Sequence, residues 1–126
     1  MSNKTRVMVI DDSYTNRIFF KAVLEEVDIE VIEAPCASKA LSMLKSVTPD
    51  VILLDMCMPM MDGLEFLQQL KPLEKNIPVI VVSVIDDHAL INKALRLGAS
   101  DYIVKPVETE DLIKRIARLT ACEVII

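Results

Sequence analysis

Histidine is nearly absent. The chain has one, His88, beside three scattered cysteines, Cys36, Cys57 and Cys122. So few soft donors, none of them clustered, exclude a zinc site. An odd, scattered set of cysteines also argues against a disulfide framework and reads as reduced thiols of a cytoplasmic protein. No apolar run approaches the roughly 18 residues of a membrane span. The opening MSNKTR has no apolar signal region behind it, so no secretion signal is expected. Basic residues are outnumbered, 14 Lys and Arg against 19 Asp and Glu, giving a net charge of −5. That balance argues against a domain that grips nucleic acid. Internal repeats and Gly/Ser- or Pro-rich linkers are also missing, so residues 1–126 read as one domain.

What is there is apolar and periodic. Hydrophobic residues make up 52% of the chain, and a domain of this length buries roughly two thirds of its unfolded surface. The stretch VILLDMCMPMMDG, residues 51–63, organises the rest. Val51 to Leu54 form a short uninterrupted apolar run that leads into one carboxylate, Asp55. Such a run, preceded by Pro49 and followed by a polar turn ending in Gly63, reads as a strand buried on both faces. Val7 to Ile10 is a second buried strand, ending in Asp11-Asp12, with Ser13 as a helix cap. Phe19, Phe20, Val23, Leu24 and Val27 predict a helix over Tyr14 to Glu26 with one apolar stripe. Ile29 to Glu33 alternates and suits an edge strand with a wetter face. Ala37, Ala40, Leu41 and Leu44 predict a helix to about Lys45.

After Gly63, residues 64–70 form a short helix that Pro72 is expected to stop. Pro78 to Val84 is a fourth strand ending in one hydroxyl, Ser83. Asp86 and Asp87 offer a cap and first-turn charge for a helix through Leu97, with Gly98 at the αL cap. Tyr102 to Val104 is a fifth strand, ending in Lys105-Pro106. Acidic residues open the last helix and basic ones close it, in keeping with the helix dipole. Strand and helix alternate five times. The expected fold class is therefore α/β, a doubly wound five-stranded parallel sheet of order 2-1-3-4-5 with helices on both faces.

In that order the chemistry gathers at one edge. Asp11 and Asp12 stand at the carboxyl end of strand one, Asp55 at that of strand three, Ser83 at four and Lys105 at five. Ligands bind at this edge in open parallel sheets. Three carboxylates raise each other's pKa, and a hard cation such as Mg²⁺, which takes carboxylates, waters and phosphate oxygens, resolves the conflict. Lys105 adds a point positive charge suited to phosphate. A carboxylate can itself be the nucleophile and form an aspartyl phosphate.

The motifs VMVIDDS, VILLDMCMPMMDG, PVIVVSV and GASDYIVKP resemble, in order and over essentially the whole chain, the receiver domain of two-component response regulators. The resemblance implies a flavodoxin-like (βα)5 fold and a phosphorylation-gated switch rather than an enzyme with an outside substrate. It implies that Asp55 accepts phosphate from a sensor histidine kinase or a phosphotransfer protein. Asp12, Asp55 and the backbone carbonyl of Cys57 would ligate Mg²⁺, with Asp11 helping. Lys105 and Ser83 would serve the phosphoryl group, Ser83 and Tyr102 would form the switch pair, and Lys105-Pro106 would be cis. The face built by the fourth helix, fifth strand and fifth helix would carry the signal to a second copy or an effector. No role for nucleic acid or membrane is implied.

Three positions depart from the common pattern: Val84 after Ser83 where a small residue is usual, Asp28 where Gly often stands, and Val107 after Pro106. Val84 is expected to border the mouth of the crevice. Two rival readings are an aspartyl-nucleophile phosphatase and a receiver-like scaffold that works without phosphate. The first resembles an Asp-x-Asp motif, whereas here Cys57 stands two residues after Asp55. The second leaves Asp55 and Lys105 unexplained. His88 reads as a solvated residue near a helix start, and Met56, Met58, Met60 and Met61 as loop packing. The apolar end, Val124 to Ile126, reads equally as a linker helix or an association surface.

Overall fold

The computed structural model describes residues 4–58, 60–73 and 75–120. Cys122 and the apolar end lie outside the described residues. The elements alternate as expected: β1 Arg6–Ile10, α1 Tyr14–Glu25, β2 Glu30–Ala34, α2 Ala37–Met43, β3 Val51–Asp55, α3 Gly63–Leu70, β4 Val79–Ser83, α4 His88–Arg96, β5 Asp101–Val104 and α5 Thr109–Thr120. All pairings are parallel, and the sheet order is β2-β1-β3-β4-β5.

Side chains on a strand alternate between faces, so a strand covered on both sides must be apolar throughout. The two cores divide by that alternation. Met8, Ile10, Ile52, Leu54, Val79 and Val81 pack on one face against Ala40, Leu44, Phe66 and Leu67. Val7, Val9, Val51, Leu53, Ile80 and Val82 pack on the other against Phe20, Leu24, Leu112 and Ile116. The edge strand β2 is the wetter one, with only Ala34 buried.

Some boundaries differ from expectation for local reasons. The apolar stripe of α1 is narrower than its sequence suggests: Phe20 and Leu24 are buried, but Phe19 and Val27 are exposed. Phe19 instead sets its ring edge-on to Phe20 at 5.4 Å. Helix α3 does end at Leu70, just ahead of Pro72 as expected, but Pro72 does not end the helical path of the chain. It sits inside a 3-10 turn, Lys71–Leu73, where its missing N–H costs little. Helix α2 ends at Met43, short of Lys45. Asp28 has φ of +67°, which explains why glycine suits that position; an acidic residue with a short side chain tolerates it, and Lys4 pairs with it at 3.1 Å. Gly98 has φ of +115° directly after α4, as a cap requires. No helix among the described residues is long and apolar enough to cross a membrane.

Candidate functional site

The sheet delivers its polar residues to one edge because each apolar strand stops there. β1 ends at Ile10, and the N–H of Asp11 still extends the ladder to the Ala34 carbonyl at 3.2 Å. The chain then turns into α1 through Ser13, whose hydroxyl accepts the Asn16 N–H at 3.2 Å. This turn folds the Asp11 carboxylate back over the helix start. One oxygen accepts the Ser13 N–H at 2.9 Å and the other the Asn16 side-chain amide at 3.2 Å. Asp11 is buried as a result, only 3% exposed.

β3 brings Asp55 alongside. The connection to α3 is tight: the Asp62 side chain caps α3, with Glu65 closing a capping box. Gly63 lies against the end of β3. A Cβ there would meet the Met56 Sδ at 2.8 Å, the Met56 Cα at 3.0 Å and the Asp55 carbonyl oxygen at 3.2 Å. The position therefore admits only glycine without moving the strand end. Asp55 is half-buried and accepts the Cys57 N–H at 3.2 Å.

Carboxylate oxygens of Asp11, Asp12 and Asp55 all lie within 4.8 Å of one another. Burial pushes the Asp55 carboxyl up to about 6, and the neighbouring Asp11 charge pushes the same way, followed by Asp12. The Cys57 N–H and the Lys105 ammonium pull it down but do not prevail. The local positive charge thus falls short of the negative. All-oxygen donors at this spacing suit a hard divalent cation, and the raised Asp55 pKa is the signature of a site that such a cation would relieve.

The remaining strand ends close the crevice. Ser83 is 1% exposed, and its hydroxyl accepts the Ile85 N–H at 3.1 Å. Its carbonyl accepts the Lys105 N–H at 2.8 Å, which ties the ends of β4 and β5 together. The Lys105-Pro106 bond is cis. The Tyr102 hydroxyl donates to the Ile85 carbonyl at 2.9 Å, so its ring already leans on the loop after β4. Burial raises its pKa, and a hydrogen bond with Ser83 opposes that. Val84 lies just past β4 and is 69% exposed. His88, the first residue of α4, is exposed as expected, and the Asp87 side chain caps that helix.

Thus Asp11, Asp12 and Asp55 converge with Lys105 near enough to feel one another, while Ser83 and Tyr102 meet over the loop after β4. The sequence reading passed over Asn16, Arg17 and Glu33, which surround Asp11. A usable signal existed: helical side chains tilt toward the helix N-terminus, so polar residues in the first turn of α1 must point back at the end of β1.

Known proteins share this fold. The response regulator receiver domain family matches residues 7–117. The chain belongs to that family. A protein-glutamate methylesterase/protein-glutamine glutaminase of Trichodesmium erythraeum is 43% identical over 82% of this chain, which spans only 30% of that relative. The chemotaxis protein CheY of Thermotoga maritima is 28% identical over 91% of this chain and 97% of its own length. The solved receiver domain of the Francisella response regulator 1452 superposes with a TM-score of 0.89 at 32% identity, covering 95% of this chain and 99% of that one. Receiver domains are phosphorylation-dependent signalling switches of two-component systems, served by histidine kinases or phosphotransfer proteins, and they bind Mg²⁺ at an acidic pocket.

Proposed function

We propose that residues 1–126 act as a single receiver unit in which Asp55 takes a phosphoryl group from a phosphohistidine of a partner kinase or phosphotransfer protein. An Asp55 oxygen forms the new P–O bond while the P–N bond to the partner's imidazole breaks. That bond's electron pair stays on the leaving imidazole. The observation that carries this reading is the half-buried Asp55 at the end of the central strand, pushed to about 6 beside two further carboxylates. At neutral pH such a group is mostly ionised and so nucleophilic, yet it lacks a full countercharge.

Asp11, Asp12, Asp55 and the Cys57 carbonyl would hold Mg²⁺. Bound there, the ion supplies positive charge for the phosphoryl oxygens in flight. Lys105 would add its ammonium to the same oxygens, and the Ser83 hydroxyl would leave the Ile85 N–H to donate to one of them. Tyr102 already holds the Ile85 carbonyl, so a change at Ser83 would pass directly to it. The surface of α4, β5 and α5 is the expected output face, for a downstream effector or a second copy. Arg115, bonded to Asp101 at 2.7 Å and Asp111 at 2.9 Å, joins β5 to α5 there. Catalysis would be limited to the domain's own phosphorylation and to hydrolysis, in which water attacks phosphorus and returns the Asp55 carboxylate. Free Cys36 and Cys57 suit a cytoplasmic protein.

Treatment with acetyl phosphate and Mg²⁺ tests the reading. A stoichiometric, base-labile, acid-stable adduct on Asp55, absent from Asp55→Asn, is expected. Continuous turnover without an adduct would indicate a hydrolase instead. An unchanged adduct on Asp55→Asn would remove Asp55 from the role.

A further inference from the structure

Asp11 is anchored on both sides by the edge strand β2. Its N–H donates to the Ala34 carbonyl at 3.2 Å. Its own carbonyl accepts the Nη1 of Arg17 at 2.7 Å, and the Nε of the same guanidinium donates to the Glu33 carboxylate at 3.0 Å. Glu33 and Ala34 are consecutive on β2, in register with Val9 and Ile10. One residue of β2 therefore holds Asp11 directly, and its neighbour holds it through Arg17. Arg17 is 13% exposed and its guanidinium lies 5.7 Å from the centre of the Tyr14 ring. A planar fork bridges the carbonyl and the carboxylate from two separate nitrogens in a fixed geometry, whereas a lysine would have to reach both from one nitrogen.

The carbonyl that Arg17 grips belongs to the peptide joining Asp11 to Asp12. Asp12 is exposed, and among the described residues its carboxylate makes no hydrogen bond. What the fold holds is its backbone, through the Asp11–Asp12 peptide that Arg17 grips. We propose that Arg17, braced by Glu33, is a positioning residue that aims the Asp12 carboxylate into the cation cluster with Asp11 and Asp55. Arg17 itself touches neither the ion nor the phosphoryl group. This role rests on the metal reading above and adds a residue outside the ligand set that tunes it.

Calorimetric titration of Mg²⁺, run beside thermal melts of the same samples without metal, tests the role. Arg17→Lys keeps the charge but replaces the fixed two-nitrogen fork with a single, shorter-reaching nitrogen. It should weaken Mg²⁺ binding about 10-fold, the low end of the range for groups that orient metal ligands. Glu33→Ala releases Arg17 while keeping every residue of α1, though it also removes the looser 3.9 Å pair of Glu33 with Lys21, and should weaken binding measurably but less than Arg17→Lys. Glu33→Gln keeps an acceptor and should restore affinity to within about twofold of wild type. A purely structural role would lower the melting temperature and leave Mg²⁺ affinity unchanged, and that result overturns the proposal. If Arg17→Lys does not fold, Glu33→Ala decides: wild-type affinity in that variant overturns the proposal equally. Failure of the wild type to bind Mg²⁺ would instead overturn the metal reading, and this proposal with it.

Discussion

The ends of β1 and β3 bring carboxylates to the same crevice, but they are held in opposite ways. At the β1 end, the backbone N–H, the carbonyl and both carboxylate oxygens of Asp11 are engaged. At the β3 end Asp55 accepts a single backbone N–H, at 3.2 Å. The loop beyond it carries Met60, wholly exposed with φ of +72°, a conformation that costs a non-glycine residue on the order of 1 kcal/mol. A group that only holds an ion gains from being fixed. A group that must form and break a bond gains from a deficit of compensating contacts, because the partner that arrives can then supply them. Asp12, exposed and without a hydrogen bond among the described residues, follows neither pattern, so the contrast is one between Asp11 and Asp55.

The sharpest way to break the comparison is to disturb the β3 end at Gly63. In Gly63→Ala the new Cβ would press on the backbone of Met56 and Asp55, which cannot rotate away. Overpacking of this kind costs about 1–3 kcal/mol. The melting temperature should fall by roughly 4–12 °C for a chain of this size. Phosphorylation by acetyl phosphate should slow at least tenfold, since displacement of a reacting group by about 1 Å is enough for that. A variant with wild-type stability and rate would mean that the strand end is looser than its contacts imply.

The next test removes the unbalanced charge. With its folded pKa near 6, Asp55 keeps its proton over a range where the unfolded chain, near 4, has lost it. Its contribution to stability is therefore present below pH 4 and is lost as pH rises through about 6. Asp55 is half-exposed and its neighbours are screened by solvent, so this contribution is about 1 kcal/mol. In chelator at pH 7.5, Asp55→Asn should melt about 4 °C higher than wild type, and the gap should close by pH 4. Saturating Mg²⁺ should stabilise wild type more than the variant by mass action. The acid limb of the phosphorylation rate should likewise move to lower pH as Mg²⁺ is raised, because the cation favours the ionised carboxylate. Asp55→Asn melting at or below wild type at pH 7.5 would mean that Asp55 is already compensated.

The contrast between the two ends was only half legible in the sequence. Asp55, Asp11, Asp12, Ser83 and Lys105 could be read because a doubly covered strand is an apolar run, and the first polar residue after it marks the sheet edge. Sheet order followed from the wetter pattern of one strand and from short connections. What holds Asp11 could not be read that way. The Arg17–Glu33 pair spans α1 and β2, and neither residue breaks a periodic pattern. The exposure of Phe19 was missed because spacing gives the direction of an apolar stripe but not its width. The inward lean of Tyr102 is a rotamer choice settled by a carbonyl on another loop, Ile85, and no local pattern encodes it.

The smallest effect is expected at Val84, which follows Ser83 at the end of β4, the strand beside β3. Its 69% exposure means that truncation removes little buried surface. Val84→Ala should therefore change stability by less than about 0.5 kcal/mol, as surface substitutions usually do. Its effect, if it borders the mouth, should be kinetic. A branched side chain is stiff about χ1 and cannot easily turn aside for an incoming phosphodonor or for the water that attacks the aspartyl phosphate. Both routes should open together on truncation. The variant should be phosphorylated by acetyl phosphate several-fold faster and should lose the phosphoryl group several-fold faster, with the melting curve unchanged. Acceleration of phosphorylation alone would place Val84 on the donor's path and off that of water. Unchanged rates in both directions would show that the exposed side chain points away from the mouth, leaving the β1 and β3 ends to set the kinetics by themselves.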